Sequence, residues 1–286
     1  YDNTRAGSQG MSTFTTSDGK RLHYTDTGQG RPLLCLAGLT RNGLDFSFLA
    51  PHVTEFRLIT LDSRGRGASD YDADFMNYNV LREGHDAIEL LDHLGLDKVT
   101  VLGTSRGGLL AMALAASHPE RLAGVILNDI GPVVGAQGIA RIMAYVGKLP
   151  RARTLDAAAA DLKAAMEREF PGVPLSVWRK QAEYQYRATE DGLALRYDPA
   201  LHKALLEQAA TGAMPDMWMF FEALRTLPLG VLRGANSDIL DHETLQEMHR
   251  RHPGMISGEV PDRGHVPFLD EPKSLALIRQ IMEQAA

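Results

Sequence analysis

A serine between glycines, Gly103-Thr104-Ser105-Arg106-Gly107, follows the apolar run Val99-Thr100-Val101-Leu102 and precedes Gly108-Leu109-Leu110-Ala111-Met112-Ala113-Leu114. G-x-S-x-G between a strand and a helix marks a turn tight enough to push the serine into a cleft, because glycine accepts backbone approaches that a side chain forbids. The helix behind it offers backbone N–H groups and the positive end of its dipole to an oxyanion formed there. A glycine-rich turn with an incidental serine is the plainer reading; the strand before and the helix after favour a nucleophile. The dinucleotide fingerprint G-x-G-x-x-G does not fit the spacing from Gly103 to Gly108.

A serine hydroxyl is a weak nucleophile until a base takes its proton and a carboxylate holds that base. The expected chain order is Ser, Asp, His, with the acid and base at the ends of later strands. A strand at 229–233 runs into Gly234-Ala235-Asn236-Ser237-Asp238, and one at 255–260 runs into Pro261-Asp262-Arg263-Gly264-His265. Asp238 is therefore expected as the acid and His265 as the base. Asp129, just past a strand at 124–127, is the alternative acid. The oxyanion hole needs two backbone donors: the N–H of Arg106, after the nucleophile, and that of Leu39 in Leu36-Ala37-Gly38-Leu39-Thr40, where Gly38 permits close approach to substrate.

The apolar stretch 214–221 reads partly as core packing, but soft Met and aromatic side chains also suit an adaptable pocket wall, so Met217 and Trp218 are expected to touch substrate. The side chains of Arg41 and Arg106 lie near the expected cleft, each able to meet a substrate carboxylate or to form an ordinary salt bridge. Asp62 and the turn Arg64-Gly65-Arg66-Gly67 read as structural. No H-x-x-x-H or Cys/His cluster suggests a metal, and no cofactor is expected.

These residues need elements to position them. Apolar strands at 21–25, 32–37, 57–61, 98–102 and 124–127 alternate with helices at 79–94 and 106–118. Such alternation predicts an α/β fold, a doubly wound and mainly parallel sheet with helices on both faces. From 135 to 224 there is no convincing buried strand, only helical stretches broken by Pro150, Pro171, Pro174 and Pro215. Strands return at 229–233 and 255–260, separated by a helix at 242–251, and a last helix spans 272–284. The expected organisation is a core at 11–134 and 226–286 with a helical cap at 135–225. The polar residues 1–10, ahead of Met11, read as an artificial leader.

Hydrophobic residues make up 44% of the chain and charged residues 23%, enough for a sizeable core. A net charge of −6 without a basic stripe argues against nucleic acid and anionic membrane surfaces as partners. Cys35, the single cysteine, sits inside an apolar strand and reads as a buried, inert thiol. No run reaches the length of a membrane span. A cytoplasmic monomer or homodimer acting on a small-molecule ester is expected.

The stretch 11–284 resembles the α/β-hydrolase superfamily in four segments: Leu36-Ala37-Gly38-Leu39-Thr40-Arg41-Asn42, Leu61-Asp62-Ser63-Arg64-Gly65-Arg66-Gly67-Ala68-Ser69-Asp70, Gly103-Thr104-Ser105-Arg106-Gly107-Gly108 and Asp262-Arg263-Gly264-His265. The resemblance implies Ser105 as nucleophile, His265 as base, Asp238 as acid and a helical cap over the site. Some members carry their acid at the position of Asp129. Ala37 departs from the pattern, since many members have histidine before the glycine; altered loop support is expected rather than a lost oxyanion hole. The expected activity is cofactor-free hydrolysis of a carboxylic ester or lactone through an acyl-enzyme. The alternatives are C–C bond hydrolysis with the same triad, a slow-turnover ligand receptor, told apart by stoichiometric acylation, and a cofactor-free oxygenase, told apart by oxygen consumption. Halide and epoxide chemistry in this fold uses aspartate at the elbow, which Ser105 argues against.

Overall fold

The computed structural model describes residues 12–210 and 216–285, so the expected leader at 1–10 lies outside the described residues. Ten strands and nine helices follow one another within them: β1 (Ser12–Thr15), β2 (Arg21–Thr27), β3 (Pro32–Leu36), β4 (Arg57–Leu61), α1 (Val80–His93), β5 (Val99–Thr104), α2 (Arg106–Ser117), β6 (Leu122–Asn128), α3 (Ala136–Tyr145), α4 (Leu155–Met166), α5 (Leu175–Gln185), β7 (Tyr186–Thr189), β8 (Gly192–Leu195), α6 (Leu201–Ala210), α7 (Met217–Glu222), β9 (Leu229–Gly234), α8 (His242–Arg251), β10 (Ile256–Val260) and α9 (Pro272–Gln284).

Eight strands form one sheet in the order β1-β2-β4-β3-β5-β6-β9-β10. β1 and β2 pair antiparallel, as do β2 and β4, and every later pairing is parallel. The central strands are apolar because helices cover both faces: β5 is buried along its whole length, and Val101 and Leu102 point into separate clusters on opposite faces. Cys35 is fully buried, and burial pushes its thiol well above the usual range. No helix among the described residues is long and apolar enough to cross a membrane.

Between β6 and β9 the chain builds a cap of helices α3 to α6. The short antiparallel hairpin β7–β8, absent from the periodicity, interrupts it. Its strands have four residues each; β7 is largely exposed, and β8, though apolar and mostly buried, is too short to stand out as a strand. Backbone bonds tie the cap to the Arg64–Gly67 turn: Gly67 N–H donates to Arg196 C=O at 2.7 Å, and Asp198 N–H to Gly65 C=O at 2.7 Å. That turn is structural, as its sequence suggests. Asp62 likewise accepts the N–H groups of Gly43 at 2.7 Å and Ala68 at 2.9 Å.

Candidate active site

Ser105 stands between β5 and α2 with φ 51° and ψ −117°, a conformation that L side chains rarely adopt. The flanking glycines explain how the turn closes. A Cβ on Gly103 would lie 2.4 Å from Gly107 O, and one on Gly107 would lie 2.0 Å from Leu36 O. His265 follows β10 in a loop that packs over the end of β9, where a Cβ on Gly234 would meet Gly264 O at 2.3 Å. This brings His265 Nε2 to 2.9 Å from Ser105 Oγ.

The carboxylate on the other ring nitrogen belongs to Asp129. Its Oδ2 lies 2.7 Å from His265 Nδ1, and its side chain is fully buried. Asp129 follows β6 directly, and β6 lies between β5 and β9 in the sheet, so its carboxylate starts beside the strand that leads to Ser105. This corrects the expectation for Asp238. Asp238 lies four residues past the end of β9, and by that point the chain has turned toward α3. The Asp238 carboxylate accepts from Arg141 Nη2 at 2.6 Å, and the Asp238 carbonyl abuts Gly135, ahead of α3. The loop expected to carry the acid instead supplies donors to it. Gly234 N–H donates to Asp129 Oδ1 at 2.8 Å, and Ser237 O–H to Oδ2 at 2.6 Å. Ser237 was not legible as a site residue, although a serine in the turn beside an acid-bearing strand is a donor to test.

Beside Ser105, the backbone N–H groups of Leu39 and Arg106 have no acceptor among the described residues. Three buried charges hold the two residues that carry them. Glu83, on the apolar face of α1, accepts from Arg106 Nε at 3.0 Å and Nη2 at 2.8 Å, and from Arg66 Nη1 at 2.9 Å. Arg66 Nε also donates to Leu39 C=O at 2.8 Å. Burial alone would raise the Glu83 carboxyl, but Arg106 and Arg66 outweigh it and hold it below its ordinary value. The Arg106 side chain is thus turned into the core, away from any substrate. Glu83 escaped sequence reading, yet it shares a helical stripe with Ala87, Leu90 and Leu91, and an acid on such a stripe implies a buried cation.

The chain that carries this serine, histidine and buried aspartate is similar to known proteins along most of its length. The α/β hydrolase fold model matches residues 31–272. The chain belongs to the α/β-hydrolase fold family. It is a hydrolase, similar to a 3-hydroxybutyrate-oligomer hydrolase from Cupriavidus necator at 35% identity over 274 residues, covering 92% of each chain. A crystal structure of an alpha/beta hydrolase from Novosphingobium aromaticivorans superposes with a TM-score of 0.87 at 39% identity, covering 96% of this chain and 97% of that one. E-2-(acetamidomethylene)succinate hydrolase shares the fold, with a TM-score of 0.81 at 23% identity, covering 96% of this chain and 100% of its own.

In this hydrolase a cavity of about 520 Å³ separates the sheet's crest from the cap. Gly38, Leu39, Ser105 and His265 form its floor, while Ile142, Leu162, Met166, Phe170, Trp178 and Phe268 make the walls mainly apolar. Gly38 stands where expected. A Cβ there would lie 3.7 Å from Ser105 Cβ and 3.3 Å from Arg41 Cγ, filling the floor. Met217 and Trp218 do not line the cavity. α7 packs on α2, where Met217 and Phe221 join the core and Trp218 lies under the Arg251 guanidinium, 4.0 Å from its ring centre. Met217 and Phe221, with Trp218 and Phe220 against them, serve core packing while Met219 is exposed, and α7 packs with the core although sequence patterning drew the cap to 225. Arg41 does reach the cavity, forked on Asp45 and bonded to Gln181 of the cap; burial opposes its charge, but Asp45 prevails and raises its pKa.

Proposed function

We propose that this hydrolase cleaves a small-molecule carboxylic ester or lactone through an acyl-enzyme on Ser105, with no cofactor. The observation that carries this reading is the unbroken relay Ser105 Oγ, His265 Nε2, His265 Nδ1 and Asp129 Oδ2, at 2.9 and 2.7 Å, beneath an apolar cavity. His265 takes the hydroxyl proton as Ser105 Oγ bonds to the carbonyl carbon, and the tetrahedral oxyanion is held by the Leu39 and Arg106 N–H groups. The C–O bond to the alcohol then breaks, and His265 returns the proton to that alkoxide. Water, deprotonated by His265, attacks the acyl-enzyme, releasing the acid and regenerating Ser105. Asp129 fixes the ring so that Nδ1 carries its proton and Nε2 is free to act as base.

The likeness to a 3-hydroxybutyrate-oligomer hydrolase supports the reading, since esters are the bonds that join hydroxy acids into oligomers. The test is a panel of p-nitrophenyl esters of graded acyl length, lactones and vinylogous diketones, together with a fluorophosphonate. Ester turnover with one phosphonate adduct per chain, at Ser105, is expected. Turnover confined to the diketones would replace ester hydrolysis by C–C cleavage. Single acylation without turnover would leave a receptor.

A further inference from the structure

Where the loop after β3 meets the cap, the cavity wall carries hydrogen-bond donors in excess of acceptors. Arg41 has five N–H groups. Nε and one Nη2 proton go to Asp45, and the other Nη2 proton goes to Gln181 Oε1. Both Nη1 protons have no acceptor among the described residues. Because Gln181 Oε1 accepts from Arg41, its amide nitrogen is the end left over, and it too has no acceptor there; the residue is 8% exposed. One helical turn earlier on α5, the buried indole N–H of Trp178 is also unpartnered. Lys148, on the same cavity, makes no ion pair within the described chain. Lining cations (Arg41, Arg141, Lys148) outnumber the one lining carboxylate, Asp45.

The Trp178 N–H is buried without a partner, and Arg41 and Gln181 line the cavity, so a ligand that displaces solvent from their free donors must bring acceptors of its own or leave them unmatched. A carboxylate fits best. Its two oxygens can take the paired Nη1 protons and the amide of Gln181, and a charged acceptor gains about twice what a neutral carbonyl does. Asp45 clamps the guanidinium so that little side-chain entropy remains to be lost on binding. The site is close to the chemistry, because the Arg41 stem and the Ser105 Cβ flank the single gap above Gly38.

Building on the ester reading above, we propose that the substrate is an ester bearing a free carboxylate a few bonds from the scissile carbonyl, and that Arg41 with Gln181 is the carboxylate-binding site. The test compares mono-p-nitrophenyl glutarate, which carries the carboxylate, with its methyl-capped diester, which does not. Wild-type kcat/KM is expected to favour the acid at least tenfold, mostly through KM. Sodium chloride should raise the KM of the acid but not that of the capped ester. Arg41→Gln should bring the ratio of the two kcat/KM values close to one. Gln181→Met, which keeps Arg41, should lower it about threefold, and that variant decides the matter if the arginine variant does not fold. Equal turnover of the two esters by wild type, or a ratio unmoved in both variants, overturns the carboxylate site and leaves ester hydrolysis standing. Turnover of neither ester, with no acylation of Ser105, overturns both.

Discussion

On the sheet side of the cavity, position is set by backbone. Ser105 and Asp129 take positive φ values of 51° and 57°, each directly after a buried parallel strand, and the N–H of Asp129 is anchored on Leu232 C=O at 2.8 Å. On the cap side, the charged groups that face the cavity are held by side-chain bonds, with Arg41 of the loop after β3 reaching across to Gln181 and Arg141 reaching to Asp238. Backbone strain at two strand ends persists only where the surrounding sheet over-determines it. Side-chain bridges between a core and a cap yield easily. On the proposed function, this difference predicts that substitutions on the sheet side act on kcat and those on the cap side on KM.

The sharpest way to break that division is to remove the nucleophile. Ser105→Ala is expected to lower kcat by about 10⁴-fold or more with an unchanged melting temperature, read by ester turnover and calorimetry. Next comes the acid. Asp129→Asn should cost roughly 10³–10⁴-fold in kcat, because the ring loses the partner that fixes its tautomer and balances the imidazolium. A retained kcat in the asparagine variant would move catalytic control off the end of β6.

How much of this was legible follows the same division. Ser105 and His265 could be read because the elbow and the loop after the last strand are written in glycine and in strand spacing, which are local. Parallel strands were legible for the same reason, since both faces of β5 and β6 are buried and their residues are mainly apolar. Asp129 against Asp238 could not be settled locally. Both follow strands, and the choice depends on β6 lying between β5 and β9, a fact of sheet order that no spacing encodes. The cap was legible as helical and no further. Its β7–β8 hairpin is short and half exposed, and the donors of Arg41 and Gln181 acquire meaning only from each other across 140 residues of chain. The reading of Met217 and Trp218 erred because apolar residues look alike whether they line a cavity or pack on α2.

A smaller effect is expected where the sheet side is supported from behind. Glu83→Gln should lower kcat about 10- to 100-fold while KM changes little, as Arg106 and the Arg66 that holds Leu39 C=O lose their shared counter-charge. It should also destabilise the fold by about 3–5 kcal/mol, since it leaves Arg66 and Arg106 buried without a counter-charge. Rescue of kcat by Glu83→Asp, together with a matching change in affinity for a boronate that mimics the tetrahedral adduct, separates positioning from mere stability. Smaller still, Ser237→Ala removes one of the donors to Asp129 Oδ2 and should cost about threefold to tenfold in kcat, with the Gly234 N–H and His265 bonds remaining.

The smallest effect belongs to Asp238. Its bond to Arg141 joins two partly exposed side chains, with 27% of the aspartate and 37% of the arginine accessible, and pairs of that kind contribute about 0–1 kcal/mol. Arg141 keeps a second carboxylate, Glu169, at 3.5 Å, so loss of Asp238 leaves the cation partnered and α3 in place. Asp238→Asn should therefore hold kcat within about threefold of wild type and leave single phosphonate labelling of Ser105 intact. What change there is should fall on KM, because Arg141 lines the cavity, and should fade at high salt, where such a pair is screened. Assayed beside Asp129→Asn on one ester, the two variants should differ by at least a hundredfold in kcat. Equal losses would mean that the loop after β9 contributes to proton transfer, and that the cap wall and the sheet wall do not divide the work.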